Sequence, residues 1–102
     1  MYKIMGILKR PREMSMPDFR KWWLEEHAPK VKKWVGLKRY CINLATTEDQ
    51  RYDGVAEVWF ETKADMDAVF RTPEGETARN SAMVGSAEIV LLSTEENVMV
   101  GK

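Results

Sequence analysis

His27, the one histidine of the chain, is the side chain best suited to transfer a proton near neutral pH. Phe19, Trp23 and His27 follow one another at intervals of four residues and therefore share one face of a helix. Because Phe19 and Trp23 must face the core, we expect His27 to point into the same interior. A catalytic acid or base and a buried histidine that stabilises a helix C-terminus fit this position equally well.

Other polar and aromatic side chains could form a pocket with His27. Tyr40 could donate a proton or stabilise an oxyanion. Strand alternation leaves open whether the polar candidates face this pocket or solvent, and Asp53 is a further polar candidate of this kind. The candidates for contact with a substrate are Trp23, Asn43, Glu57, Trp59 and Phe60.

Three features could be taken for other kinds of site. Tryptophans interleaved with lysines could stack on nucleic acid, but the helical spacing of these aromatics favours core and pocket lining. Cys41 lacks an adjacent base in the sequence, so we expect a small buried residue rather than a nucleophile. Glu95 and Glu96 are adjacent and would point to opposite faces of a strand, so at most one could reach a given site.

Strand-like patterns occur in four places along the chain. The last is expected to be interrupted around residues 94–96. Two of these patterns, at residues 2–8 and 55–60, are apolar on both faces. The predicted strands cover residues 2–10, 37–46 and 55–61, and then 87–93 together with 97–100.

Helix start signals lie between the strands. Ser15 and Asp18 form a capping box, and the helix is predicted to reach about Glu26, with Pro29 ending or bending it. A further turn over residues 30–34 would close near Gly36.

The second helical region has its own start signals. Thr62 and Asp65 form a second capping box for a helix that extends to about Arg71, and Thr72-Pro73 starts another helical segment. The order strand, helix, strand, strand, helix, strand predicts an α+β protein with a ferredoxin-like fold, in which helices cover one face of a four-stranded antiparallel sheet. Because both strand faces are apolar, a second sheet should cover the open face, and we predict a homodimer. Isolated exposed apolar residues are the alternative.

The composition excludes several classes of protein. A length of 102 residues allows one domain, 1–102. One cysteine permits a reducing compartment and excludes an intramolecular disulfide, and one histidine argues against a structural zinc site. The longest apolar runs are too short for a membrane span, and no signal-peptide layout is present. We therefore expect a cytoplasmic protein without metal or organic cofactor.

The net charge of zero is divided unequally along the chain. Residues 1–40 carry eleven Lys/Arg and four Asp/Glu, whereas residues 41–102 carry five and twelve. A neutral total argues against nucleic-acid binding. In the predicted fold the two halves interleave, so opposite charges can become neighbours. The basic segment 30–39 could still border the pocket mouth and favour anionic ligands.

These residues resemble the EthD family of the dimeric α+β barrel superfamily, over nearly the whole chain. The resemblance is carried by Phe19, Trp23, His27-Ala28-Pro29, Val31, Gly36-Leu37 and Tyr40, then by the run Asp-Gly-Val-Ala-Glu-Val-Trp-Phe at 53–60, and by Glu95, Glu96 and Val98. It implies a dimeric α/β barrel with a pocket between sheet and helices, a functional role for His27 and a second role for Tyr40. Members are linked to ether degradation or resemble cofactor-free dehydratases and isomerases.

Two positions depart from the family pattern. Asn97 stands where many members have a histidine, and residues 82–86 lack a Phe-x-Asp pattern found before the last strand. The resemblance and the residues together predict a cofactor-independent acid–base enzyme of isomerase, dehydratase or oxidoreductase type, acting through His27 on a small hydrophobic or aromatic compound. The alternative is a non-enzymatic ligand-binding or accessory protein of an oxidoreductase or degradation pathway.

Overall fold

A four-stranded antiparallel sheet forms the frame of the molecule, which is described here over residues 1–101 from a computed structural model. The strands are β1 (Tyr2–Lys9), β2 (Leu37–Leu44), β3 (Gly54–Phe60) and β4 (Glu88–Glu95). Their order across the sheet is β2-β3-β1-β4, with antiparallel pairing throughout. This is the ferredoxin-like α+β arrangement that the sequence predicts.

The helices follow the strands in the expected order. The first helical region contains α1 (Met16–Lys21), a π-helical segment (Trp22–His27) and α2 (Ala28–Val31). The second contains α3 (Lys63–Ala68), a 3-10 turn (Val69–Arg71) and α4 (Pro73–Gly85). All three predicted helix starts are confirmed, because the hydroxyls of Ser15, Thr62 and Thr72 each accept a hydrogen bond from a backbone N–H in the first turn.

The prediction that the first helix reaches only about Glu26 is wrong, because the helix continues through Pro29 to Val31. A proline inside an α-helix lacks an N–H and clashes with the carbonyl four residues earlier. The preceding segment has the wider π-helical turn, in which the N–H of Ala28 donates to the carbonyl of Trp23. We infer that this widening accommodates Pro29. The helix therefore continues past the proline with a different hydrogen-bond pattern instead of ending.

The prediction for the last strand also needs correction. β4 runs without interruption from Glu88 to Glu95, and residues 97–100 form no strand. Thr94 and Glu95 stay in the sheet because they pair with Lys3 and Tyr2, at the beginning of β1. The ladder ends where β1 begins, and the N–H of Glu96 adds one last hydrogen bond to the carbonyl of Met1.

The sheet has one covered and one open face. Ile4 and Leu8 of β1, with Val58 and Phe60 of β3, are buried against the helices. The alternate residues, among them Met5 and Ile7, are half-buried on the face without helices. Within residues 1–101, no helix is long and apolar enough to cross a membrane.

Candidate functional site

A cavity lies between the covered face of the sheet and the helices. The cavity has a volume of about 40 Å³, which is several times the volume that one water molecule needs. The wall is almost entirely apolar, and its polar side chains are few. They belong to His27 of the π-helical segment, Tyr40 of β2, Arg79 of α4 and the two tryptophans Trp23 and Trp34.

His27 reaches the cavity from the end of the π-helical segment, and only 6 % of its surface is exposed. Its Nδ1 lies 3.0 Å from the hydroxyl oxygen of Ser81 on α4. Burial, together with a smaller repulsion from the Lys30 ammonium, lowers the pKa of His27 to about 4. The imidazole is therefore neutral at pH 7. In the tautomer whose Nδ1–H donates to Ser81, the lone pair of Nε2 is free to take up a proton.

An aromatic stack fixes the orientation of the imidazole. The Trp22 ring lies on that of His27, with centroids 5.1 Å apart and planes 18° apart, and it also stacks on Phe19. α4 passes close to this stack at Gly85, where a methyl group would overlap the Trp22 ring. The absence of a side chain at Gly85 is thus what lets Trp22 remain against His27.

Two buried polar atoms beside the cavity lack hydrogen-bond partners among the described residues. They are Nε1 of Trp23 and the hydroxyl oxygen of Tyr40. Burial raises the pKa of the Tyr40 phenol well above its usual range, and the nearby Trp23 indole offsets this only in part. An unpartnered buried polar group costs about 1–3 kcal/mol. Trp23 and Tyr40 therefore form a place where an oxygen atom of a ligand would be stabilised.

The structure brings only some of the predicted site residues together. Trp23 and Tyr40 line the same cavity as His27, whereas Phe60 is fully buried in the adjacent core and stacks on Trp34. Asp53 is also buried, but its carboxylate accepts from the backbone N–H of Arg10 and has a structural role.

The prediction that three further residues share a pocket with His27 is wrong for geometric reasons. Asn43, Glu57 and Trp59 alternate with cavity and core residues of the same strands and so lie on the open face. Trp59 is buried there by its neighbours, since its indole N–H donates to Glu96 and the side chains of Lys3 and Arg39 lie over its ring. The sheet separates these three side chains from the imidazole.

Sequence reasoning missed two residues of the site, Ser81 and Arg79. Both lie on α4, whose sequence carries only a weak apolar stripe, so its inward face was not apparent. Trp34, for which core or pocket lining was expected, does line the cavity, and its indole N–H donates to the carbonyl of Glu74. In the described part of the chain, His, Cys, Asp and Glu do not gather in groups of three or more, so no ligand set for a metal can be named.

Comparisons with known proteins agree with this architecture. The EthD domain family matches residues 11–85, a stretch that includes α1, β2, β3 and α4. An uncharacterized 11.0 kDa protein of the thcB-thcC intergenic region of Rhodococcus erythropolis is 26% identical over 105 residues, which cover 98% of this chain and 99% of that protein.

Solved structures share the fold at low sequence identity. An EthD family protein from Bacillus halodurans has a TM-score of 0.84 at 20% identity, covering 95% of this chain and 99% of that one. A protein of unknown function from Bacteroides fragilis, described as dimeric with a ferredoxin-like fold, has a TM-score of 0.70 at 11% identity, covering 93% and 95%. The match over most of its length shows that this chain belongs to the EthD domain family.

Proposed function

We propose that the protein is a homodimer that binds a small, mainly apolar compound with an oxygen-bearing group between sheet and helices, and that His27 transfers a proton on that compound. One observation carries the proposal: an apolar cavity collects a neutral imidazole together with the unpartnered polar atoms of Trp23 and Tyr40. A ligand oxygen would give these atoms the hydrogen bonds they lack. We place this reaction in the cytoplasm, a reducing compartment suited to a chain with the single free Cys41.

The size of the cavity limits the ligand. A volume of about 40 Å³ is far below the ~300–1,000 Å³ of sites for drug-sized compounds. The cavity as it stands holds only a few heavy atoms, so side chains at the mouth move apart when a ligand with a single ring enters.

The chemistry follows from the state of the imidazole. Neutral His27 removes a proton next to a carbonyl group, and Tyr40 or the Trp23 indole N–H stabilises the developing oxyanion. A pKa of about 4 makes the imidazole of the empty site a weak base. During the transfer, negative charge develops on the ligand beside the imidazole. This charge stabilises the imidazolium and so raises the pKa of His27. Return of the proton to another carbon of the ligand gives isomerisation. If the imidazolium instead protonates a departing hydroxyl group, water leaves, the ligand is dehydrated and neutral His27 is restored.

Proton exchange in D₂O tests this step without knowledge of the natural substrate. We would incubate the protein with acetophenone and follow loss of its methyl proton signal by NMR. The wild type should accelerate the exchange and His27→Gln should not, whereas Glu25→Gln, which changes an exposed side chain of the same π-helical segment, should behave as the wild type. Equal exchange by the wild type and His27→Gln would contradict a catalytic His27.

The low pKa of His27 also supports a second candidate, a protein that binds the same kind of ligand without converting it. In that case His27 orients the ligand as a neutral hydrogen-bonding group. Two measurements separate the candidates: a binding protein perturbs the Trp23 indole N–H signal when acetophenone is added in H₂O, but leaves the exchange rate in D₂O at the background value.

The homodimer rests on separate support. The open face of the sheet is half-buried and largely apolar in its centre. Fold relatives from Bacteroides fragilis, Thermobifida fusca and Jannaschia are described as dimeric. Two open faces packed against each other would remove this apolar surface from water, as in other two-fold assemblies.

A further inference from the structure

Among the described residues, Arg79 is the only one with a charged side chain on the wall of this largely apolar cavity. Its guanidinium lies 5.8 Å from the ring centroid of Phe70, which also lines the cavity. Arg79 is exposed as a residue, so it stands at the mouth, where one side of the guanidinium meets solvent.

The Arg79 guanidinium has no acidic partner in the described part of the chain. Ion pairs within 4.0 Å engage Arg10 and Arg51 but not Arg79. No Asp or Glu lines the cavity. An arginine beside an apolar cavity and without a carboxylate neighbour has donors available for a ligand.

Apart from the Nε2 lone pair of neutral His27, the other free polar atoms described on the cavity wall are hydrogen-bond donors as well. The indole N–H of Trp23 can only donate, and the Tyr40 hydroxyl can donate. A donor surplus of this kind is satisfied by acceptor oxygens, and a cation at the mouth favours acceptors that carry negative charge. The Lys30 ammonium, which repels a positive charge on His27, adds positive potential at the imidazole.

We infer that the ligand of this cavity is an organic anion, a carboxylate on a small apolar body, and that Arg79 determines this specificity by binding the carboxylate at the mouth. The inference rests on the proposed function, because it concerns the ligand of the same cavity. The apolar body occupies the space between Leu8, Val58 and Ala82. The planar fork of the guanidinium matches a carboxylate in two parallel hydrogen bonds.

Benzoate and benzamide are a suitable probe pair, since they have nearly the same shape and differ in charge. Their dissociation constants are measured by NMR titration of the Trp23 indole N–H signal, which Trp23→Phe identifies by its loss. We expect benzoate to bind about tenfold more tightly than benzamide. Arg79→Gln should remove this preference, whereas the control Arg71→Gln, which deletes an equal charge from an exposed arginine outside the cavity wall, should keep it.

The outcomes separate this inference from the proposed function. If benzoate and benzamide bind equally, or if Arg79→Gln leaves the preference unchanged, the anion inference is overturned and the binding cavity remains. If neither compound moves the Trp23 signal, the binding cavity itself is contradicted, and the inference fails with it.

Discussion

The protonation state of His27 is determined mainly by its burial. The imidazole is enclosed by the Trp22 ring, by α4 and by the apolar cavity, and its pKa falls to about 4. A histidine in water would be partly charged near pH 6.5. In this protein the ring stays neutral through the physiological range, so it acts as a hydrogen-bonding group or as a base that is protonated only when a ligand supplies negative charge.

The lowered pKa of His27 predicts a pH dependence of stability. Because the unfolded histidine binds a proton near pH 6.5 and the folded one only near pH 4, the unfolded state holds more protons between these values, and the free energy of unfolding decreases as the pH falls. We expect a loss of about 2 kcal/mol from this residue between pH 7 and pH 5. Urea denaturation at both pH values should show the loss in the wild type and a smaller loss in His27→Gln. Equal losses in the two proteins would argue against the lowered pKa.

Ser81 is predicted to be a positioning residue for His27. Ser81→Ala removes the partner of Nδ1 and should destabilise the fold by about 1–3 kcal/mol, the cost of an unpartnered buried group. A purely structural role would leave the ring tautomer unchanged, so the ¹⁵N chemical shifts of His27 are the decisive measurement, and we expect them to shift. Ser81→Thr keeps the hydroxyl and should retain the wild-type shifts. An unchanged tautomer in Ser81→Ala would show that Ser81 does not set it.

The sequence correctly predicted the cavity residues whose positions follow from spacing along one helix. His27 follows Trp23 at a helical interval, and both reach the cavity. Arg79 and Ser81 were missed because their role depends on which face of α4 meets the first helix, a long-range contact that leaves little trace in the pattern of α4.

The π-helical segment is the element that sets the geometry of the site. Within two turns it brings Trp22 and His27 to α4, at Gly85 and Ser81, and Trp23 to the sheet at Gly54. π-helical turns occur frequently at functional sites. Capping signals correctly predicted where this helix begins, but no local signal distinguishes a helix that ends before a proline from one that widens to accept it.

Helix packing at Gly85 predicts a long-range effect on the site. Gly85→Ala places a methyl group where the Trp22 ring lies, and overpacking of this kind costs about 1–3 kcal/mol. Because Trp22 stacks on His27, we also expect the ring signals of His27 to shift. Denaturation and NMR measure the two effects, and the neighbouring Val84→Ala, at a position 86% exposed, is the control that should show neither. A Gly85→Ala protein with wild-type stability would contradict this packing.

At the scale of the whole molecule, the fold brings the basic and acidic parts of the sequence into contact. Among the described residues, five ion pairs join the basic first part of the chain, residues 1–40, to the acidic remainder, and Lys3 takes part in two of them, with Glu57 and Glu96. β1 lies between β3 and β4, so the sheet itself brings the two halves together. The predicted complementarity of the halves is therefore confirmed within the protomer, although the pair of Lys38 and Glu61, exposed on both partners, contributes little stability.

The open face of the sheet predicts which substitution would break the proposed dimer. Ile7 lies at its centre, between Val55 of β3 and Val90 of β4 in the strand register. A carboxylate at Ile7 would be buried without a partner between two packed sheets, at a cost of several kcal/mol. Ile7→Glu should therefore convert the dimer into a monomer of about 11.8 kDa, as measured by sedimentation equilibrium. Val84→Glu places the same charge on an exposed position of α4, away from the open face, and should leave the dimer intact. If Ile7→Glu stays dimeric, or if the wild type sediments as a monomer, the open face is not the interface.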